Sequence, residues 1–275
     1  MTRRISIVCA DMDGTFLATN KDVPTRNLQA LDLLARLGIP FVPCTGRPVS
    51  AVPAELLEHP ATRFAVGSNG SVVYDVARRK NLRVVGMDKP RVLTLYERVR
   101  GVEATFDIFA DGSVYSERAR YDAMGSYGID EPSLAVLRRV RRPVDMDVPA
   151  IVERAVKVDK VTCFWHRPQD RDALATAIAE LGGFSCAHGH PKNFELQAEG
   201  VNKGSAIEWL CDHEGYDVRH AIAFGDEAND LPMLTAVGDG VAMANATPEV
   251  LRAADHVTCS NDEDGIAQYL FELLS

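Results

Sequence analysis

The chain has 275 residues, of which 46% are hydrophobic and 25% are charged, and its formal net charge at pH 7 is −9. This is the composition of an ordinary globular protein, and the acidic surplus argues against a general affinity for nucleic acid. No apolar stretch approaches the ~20 residues that a membrane-spanning helix needs. We therefore expect neither nucleic acid nor a membrane as partner, and the length allows one large domain or two smaller ones.

The N-terminus and the cysteines indicate a cytoplasmic protein. Residues 1–4 are basic, but the apolar run 5–10 behind them is short and ends in an acidic motif. We interpret that run as the first strand of the fold and not as a signal peptide. The six cysteines are widely spaced and form no C-x-x-C pair. Reduced, mostly buried thiols are expected in place of disulfides or a zinc site, and packing is the expected role of Cys44.

The first part of the chain alternates strand and helix patterns. Behind the strand at 5–10, Thr25 is expected to cap a helix that carries leucines at 28, 31, 34 and 37 and ends at Gly38. Short apolar runs that end in turn-rich sequence are typical of parallel strands. The elements predicted next are strands at 39–42 and 64–66, a helix over 48–58 between them, and a hairpin of 72–75 with 82–85.

The middle of the chain has a different pattern. Ala110-Asp111-Gly112 lies between two apolar runs and is a strong hairpin signal. Further strands are predicted at 158–165, 184–186 and 194–196, with a helix over 170–181. They indicate an inserted α+β cap, placed at 86–188, between core segments 1–85 and 189–275. The basic run 138–142 is expected to be a solvated helix end, and His188 and His190 a polar linker.

The last part of the chain returns to alternating strands and helices. The predicted strands are 221–224, 240–243 and 257–259, and the predicted helices are 203–213, 231–236, 248–254 and 264–274. Repeated strand–helix units predict a Rossmann-like, doubly wound parallel sheet for the core. In such a sheet, ligands bind at the carboxyl ends of the strands.

Two acidic clusters follow predicted strands. Asp11-Met12-Asp13-Gly14-Thr15 comes directly after the first strand, and Gly225–Asp230 follows the strand at 221–224. The carboxylates of Asp11 and Asp13 can supply a nucleophile and a proton donor to one ligand. Gly14 permits a sharp turn and brings its N–H close to an anion. Two such clusters, far apart in sequence, indicate one metal-dependent phosphate site.

The motifs resemble those of the haloacid dehalogenase superfamily of phosphohydrolases, in its Cof-type, class IIB branch. Four of them match in order: residues 11–15, residues 44–47 (Cys-Thr-Gly-Arg), Lys203 within 200–204, and residues 225–230. Residues 67–70 and the terminal segment 260–265 also resemble this branch. The resemblance spans the whole chain. The long stretch between Thr45 and Lys203 has room for the class II cap.

The resemblance implies roles for individual residues. Asp11 would be the nucleophile that forms an aspartyl phosphate, and Lys203 the compensating cation. Asp13 would protonate the leaving oxygen and then activate water, which requires partial protonation through nearby carboxylates. The metal would be Mg²⁺, held by Asp11, the Asp13 carbonyl and Asp226. Asp230 would coordinate it through water, orient Lys203, or hold the loop through side-chain-to-backbone bonds. Phosphate or substrate contacts are expected from Met12, Gly14, Thr45, Gly46, Arg47, Asn69 and Asn229, with Thr45 and Gly46 at a helix N-terminus. Three of these residues have open alternatives: a core carboxylate as the partner of Arg47, turn formation for Asn69, and the metal shell for Asn229.

These roles predict a Mg²⁺-dependent phosphatase of small phosphorylated metabolites, a phosphoric monoester hydrolase. The resemblance puts sugar phosphates first, ahead of phosphorylated cofactors such as pyridoxal phosphate or flavin mononucleotide. A phosphomutase uses the same intermediate, and no motif separates the two activities. A catalytically inactive phosphometabolite-binding protein is the non-enzymatic alternative, which the intact Asp11, Asp13, Lys203 and Asp226 oppose. Oligomeric state is left open by the sequence.

Overall fold

A computed structural model describes residues 5–274 of the chain. The chain divides into two compact units, one formed by the residues up to Arg83 together with those from Asn202 onward, and the other by Val84–Val201. The predicted basic N-terminus at 1–4 lies outside the described residues. Within 5–274, no helix is both long and apolar enough to cross a bilayer.

The first segment of the larger unit begins the main sheet. Its strands are β1 (Ile7–Asp11), β2 (Phe41–Cys44), β3 (Phe64–Gly67), β4 (Val72–Asp75) and β5 (Lys80–Val84), and its helices are α1 (Thr25–Leu37) and α2 (Ala54–Leu57). Gly38 ends α1 in the left-handed conformation, as predicted. Thr25 is the first residue of that helix and not its cap, because Pro24 precedes it in extended backbone.

The predicted helix over 48–58 is wrong. A 3₁₀ turn at Val49–Ala51 is followed by the short helix α2, and Val52 between them is extended, with ψ 136°. Val52 precedes Pro53, and the ring of a proline disfavours helical backbone at the residue before it.

The second unit is built on a separate sheet backed by helices. Its strands are β6 (Asp107–Ala110), β7 (Ser113–Glu117), β8 (Arg141–Val144), β9 (Val158–Phe164), β10 (Phe184–Ala187) and β11 (Asn193–Ala198), and its helices are α3 (Lys89–Val99), α4 (Arg118–Ala123), α5 (Glu131–Val140), α6 (Val148–Arg154) and α7 (Pro168–Leu181). The strand order is β10-β11-β9-β6-β7-β8. Because β11 pairs with both β9 and β10, this unit extends to Val201, beyond the boundary predicted at 188.

The chain then completes the main sheet. The remaining elements are α8 (Lys203–Glu214), β12 (Ala221–Gly225), α9 (Leu231–Ala236), β13 (Asp239–Ala242), α10 (Pro248–Ala253), β14 (His256–Val257) and α11 (Gly265–Leu274). The strand order is β14-β13-β12-β1-β2-β3-β4-β5, parallel from β14 to β3. The predicted α/β class, a parallel sheet with an inserted α+β unit, is confirmed.

The main sheet carries apolar cores on both faces. Ile7 and Cys9 of β1 pack with residues of α8, α9 and α10, whereas Val8 and Ala10 pack with residues of α1 and α11. Strand alternation thus buries every residue of β1. All six cysteines are free thiols, and Cys44 is buried in one of these cores, as predicted.

The basic run 138–142 is only partly a solvated helix end. Arg138 and Arg139 end α5, but Arg141 begins β8 and is buried, with 5% of its surface exposed. Its Nε donates to Oδ2 of Asp107 at 2.7 Å. The ion pair with Asp107 therefore accounts for the buried position of Arg141.

Candidate active site

The site is built at the carboxyl ends of three adjacent strands. Asp11 ends β1, Thr45 follows β2, and Asp226 follows β12, with β1 paired between the other two. All three residues are nearly buried, with exposed fractions of 7%, 1% and 7%. The strand order reverses at this position, which is where doubly wound sheets bind ligands.

Lys203 brings a buried positive charge to this strand edge. It is the first residue of α8, whose N-terminus is closed by a reciprocal capping pair of Asn202 and Ser205. Its Nζ donates to Oδ1 of Asp11 and to Oδ1 of Asp230, the latter at 2.6 Å. Burial alone would lower the pKa of Lys203, but the two carboxylates outweigh it and raise that pKa above its usual range.

Asp230 has both carboxylate oxygens engaged. Oδ1 accepts from Lys203, and Oδ2 accepts from the backbone N–H groups of Asp226 at 3.0 Å and Glu227 at 3.1 Å. Of the roles expected for Asp230, this geometry favours orienting Lys203 and holding the loop of Asp226 over metal coordination.

Asp11 and Asp226, together with Asp230, form a carboxylate cluster that suits a divalent cation. One oxygen from each of Asp11, Asp226 and Asp230 lies within 4.8 Å of the others. Burial, reinforced by the neighbouring carboxylates, raises the pKa of Asp11 to about 7 and that of Asp226 to about 8. Asn229 Oδ1 is buried nearby without a hydrogen-bond partner in residues 5–274. Hard oxygen donors with uncompensated negative charge are what Mg²⁺ binds, so the donor set fits this ion.

The turn after β1 requires the glycine of the motif. Gly14 has a φ of +83°, and a Cβ on it would lie 2.3 Å from Oδ2 of Asp226. The next residue, Thr15, is fully buried and donates to Oδ1 of Asp226 at 2.6 Å. Sequence reasoning did not single out Thr15, although its place in the D-x-D-G-T motif was the available signal.

Asp13 has cationic neighbours, so the expectation that nearby carboxylates keep it partly protonated is wrong. Its Oδ1 forms ion pairs with Arg47 and, at 3.1 Å, with Lys21. Burial alone would raise the pKa of Asp13, but the two cations outweigh it and lower that pKa below the usual range. Lys21 was missed by the sequence analysis, because nothing in the motif points to a residue in the following turn.

The loops after β2 and β3 hold the other expected contacts. Thr45 N–H donates to Val66 O at 2.8 Å, so it belongs to the sheet and not to the helix N-terminus that was predicted. The Thr45 hydroxyl accepts from Arg47 N at 3.1 Å, and the Thr45 carbonyl accepts from Asn69 N at 3.1 Å. Gly46 lies in the same loop. Asn229 Nδ2 donates to Asn69 Oδ1 at 3.4 Å, which brings these two amides together.

The Met12 side chain packs in the core and is 1% exposed, so only its main chain is available to a ligand.

The two histidines of the predicted linker lie in the second unit. There, His188 Nδ1 lies 2.7 Å from Asn193 O, and His190 Nε2 lies 3.1 Å from Asp130 Oδ2.

Comparison with known proteins places this arrangement in a family. The sequence model of the haloacid dehalogenase-like hydrolases matches residues 8–270. The chain is 26% identical over 276 residues to the putative phosphatase YxeH of Bacillus subtilis, covering 98% of each chain. It is 27% identical over 283 residues to the pyridoxal phosphate phosphatase YbhA of Escherichia coli, covering 100% of each.

Solved structures show the same fold. The subclass IIB sugar phosphatase BT4131 superposes with a TM-score of 0.82 at 19% identity, over 98% of this chain and 100% of that one. The expected enzyme class, a phosphoric monoester hydrolase, agrees with the activities for which these relatives are named. The chain belongs to the family of haloacid dehalogenase-like hydrolases.

Proposed function

We propose that the protein is a Mg²⁺-dependent phosphatase that transfers the phosphoryl group of a small metabolite to Asp11 and then to water. The observation that carries this proposal is the contact of Asp11 with the buried ammonium of Lys203, next to the carboxylate of Asp226. A carboxylate that shares one buried end of the sheet with a fixed cation and a cation-binding cluster is suited to attack a phosphate dianion.

In the first step, an oxygen of Asp11 attacks phosphorus and the bond from phosphorus to the leaving oxygen breaks. The leaving oxygen takes a proton from the carboxyl group of Asp13. In the second step, a water molecule attacks the aspartyl phosphate and gives its proton to Asp13. Inorganic phosphate leaves, and Asp11 is regenerated as a carboxylate.

The ion pairs of Asp13 make its protonation depend on substrate binding. A phosphate dianion beside Asp13 offers Arg47 and Lys21 a second anionic partner. Its negative charge also raises the pKa of Asp13, because like charges disfavour ionisation. Substrate binding thereby prepares Asp13 to carry the proton that the leaving oxygen needs.

Mg²⁺ would be held by the side chains of Asp11 and Asp226 and the main-chain carbonyl of Asp13. When bound, it neutralises charge on the phosphoryl group. Asp230 supports this set by fixing Lys203 and the N–H groups of Asp226 and Glu227. Asn69, Asn229, Thr45 and the N–H groups of Met12, Gly14 and Gly46 are proposed to contact the phosphate.

Sugar phosphates are the first substrates to test, followed by pyridoxal phosphate. The support comes from relatives that are named a pyridoxal phosphate phosphatase and a sugar phosphatase. The free thiols of the six cysteines support a reducing, cytoplasmic setting, in which such metabolites occur.

The test is phosphate release from a panel of sugar phosphates, nucleotides, pyridoxal phosphate and flavin mononucleotide, with Mg²⁺ and with EDTA. Metal-dependent release by the wild type, and its loss in Asp11→Asn with unchanged circular dichroism, is the expected result. Near-normal turnover by Asp11→Asn would contradict the mechanism. If no member releases phosphate, a product assay with hexose 1-phosphates decides between a mutase and a binding protein.

A further inference from the structure

Side chains from outside the turn that follows Asp13 bind its backbone carbonyls. Asn245 Nδ2 donates to Gly14 O at 2.8 Å, and Asn27 Nδ2 donates to Phe16 O at 2.9 Å. Asn261 Nδ2 donates to Leu17 O at 3.0 Å. The three carbonyls lie between β1 and α1, outside both elements. The turn is therefore fixed by residues distant in sequence.

The C-terminal segment Asn261–Ala267 supplies or supports these contacts. Asn261 and Asn27 are buried, with exposed fractions of 4% and 1%. Asn261 N–H donates to Asn245 Oδ1 at 3.0 Å, and Ala267 N–H donates to Asn27 Oδ1 at 3.2 Å. Both ends of the Asn27 amide and of the Asn245 amide thus have partners, and the buried Asn261 donates from its side chain to Leu17 and from its backbone to Asn245. Loss of a buried amide leaves its partner without that hydrogen bond.

The same segment holds the turn that carries Lys21. Asp262 accepts from Thr19 N–H at 2.8 Å and from the Thr19 hydroxyl at 2.7 Å. Lys21 follows with a left-handed φ of 72°, its N–H donating to Ala18 O at 2.8 Å. Its ammonium then reaches Oδ1 of Asp13 at 3.1 Å. The hydrogen bonds from Thr19 to Asp262 therefore fix the turn from which Lys21 contacts Asp13.

Asp13 stands at the tip of a loop whose two ends are joined. Phe16 N–H donates to Asp11 O at 3.1 Å, and Leu17 N–H donates to Met12 O at 2.8 Å. A shift of Leu17 is consequently transmitted to the backbone on either side of Asp13. We propose that Asn261–Ala267 is a positioning element for Asp13, acting through Asn261 on Leu17 and through Asp262 on Thr19. The inference rests on the proposed phosphatase function.

Displacement of Asp13 should change the preference between leaving groups, whereas a general loss of stability should not. When the phosphorus–oxygen bond breaks, an alkoxide leaving group needs the proton of Asp13, whereas p-nitrophenolate leaves without one. The ratio of kcat/KM for an alkyl monophosphate to kcat/KM for p-nitrophenyl phosphate therefore reports the position of the proton donor. Because kcat/KM covers only the steps up to transfer to Asp11, hydrolysis of the intermediate does not enter the ratio.

The experiment compares this ratio in the wild type and in variants, with the best alkyl substrate of the panel. Asn261→Ala and Asp262→Ala should lower it about 10-fold or more, because small displacements of catalytic groups are costly. Asp262→Asn, whose amide still accepts from Thr19 N–H and can donate to its hydroxyl, should restore most of it. Thr258→Val is the matched control, because the Thr258 hydroxyl donates to Gly265 O of this segment at 2.7 Å but, among residues 5–274, not to the turn after Asp13.

An unchanged ratio in folded Asn261→Ala and Asp262→Ala, or an equal loss in Thr258→Val, would overturn the inference. Asp262 is exposed, so Asp262→Ala gives an answer even if Asn261→Ala fails to fold. Asp13→Asn is the reference variant. If it leaves the ratio unchanged, the proposed role of Asp13 itself is wrong, and that result is distinct from a failure of the positioning segment alone.

Discussion

Lys203 Nζ lies 2.6 Å from Oδ1 of Asp230, and neither side chain has any exposed surface. Two residues 27 positions apart thus form a buried ion pair at the edge of the main sheet. The second oxygen of Asp230 is held by two backbone N–H groups. The pair fixes the cation that contacts Asp11, and under the proposed mechanism we expect Asp230 to act on catalysis through Lys203.

Asp230→Asn should therefore lower stability and turnover while leaving the metal requirement nearly unchanged. Removing one partner of a buried pair costs roughly 3–5 kcal/mol, and the new amide nitrogen would face N–H donors. We expect a loss of about that size in urea unfolding with EDTA, and a kcat at least about 10-fold lower. The Mg²⁺ concentration for half-maximal rate should move by less than about 3-fold. A much larger shift would identify Asp230 as a metal ligand.

Asp226→Asn, in contrast, should raise stability in the absence of metal and remove the response to Mg²⁺. The pKa of Asp226 is raised to about 8 in the metal-free protein by burial and by its carboxylate neighbours. The folded state thus keeps a proton that the unfolded chain has lost, and the free energy of unfolding of the wild type falls as pH rises from about 4 to about 8. At pH 9 in EDTA the variant should be more stable, by on the order of 1 kcal/mol.

The same variant should lose the stabilisation that Mg²⁺ gives the wild type. Thermal unfolding of both proteins with EDTA and with saturating Mg²⁺ measures the two effects together. A rise of Tm with Mg²⁺ that persists in Asp226→Asn would show that the ion is held elsewhere.

Arg141→Met should destabilise the protein strongly, by roughly 3–5 kcal/mol, because it leaves the carboxylate of Asp107 buried without its cation. Ser116 and Thr105 also donate to Asp107, at 2.5 and 3.1 Å, but they bring no charge. The control is Arg142→Met, since Arg142 is the exposed neighbour in the same strand. Urea unfolding of both variants is the measurement. Similar small losses in the two would contradict a special role of the buried pair.

Asp159→Asn should stabilise the protein at neutral and alkaline pH. Burial, together with the charge of Asp111, raises the pKa of Asp159 to about 7. The wild type therefore loses stability as pH rises from about 4 to about 7, and the asparagine removes that loss. We expect a gain on the order of 1 kcal/mol at pH 8 and little difference at pH 4. Exposed Asp122→Asn is the control, and an equal gain there would refute the explanation.

Local sequence patterns predicted most elements because the residues that decide them are near neighbours. Leucines at helical spacing predicted α1, and Gly38 predicted its end. The short helix at 231–236 was predicted with the observed bounds. The prediction over 48–58 was wrong because the conformational restriction that Pro53 places on Val52 was overlooked. The boundary at 188 was wrong because strand pairing, and not composition, assigns β11 to the second unit.

The sequence by itself determined the family and the residues at the carboxyl ends of β1, β2 and β12, since motif and strand are contiguous there. Only the tertiary structure decided the surroundings of those residues. Three contacts there join residues distant in sequence: Arg47 with Asp13, Lys203 with Asp230, and Asn261 with Leu17. A pKa and an orientation depend on charges and donors within a few ångströms in space, and no motif records which distant residues supply them.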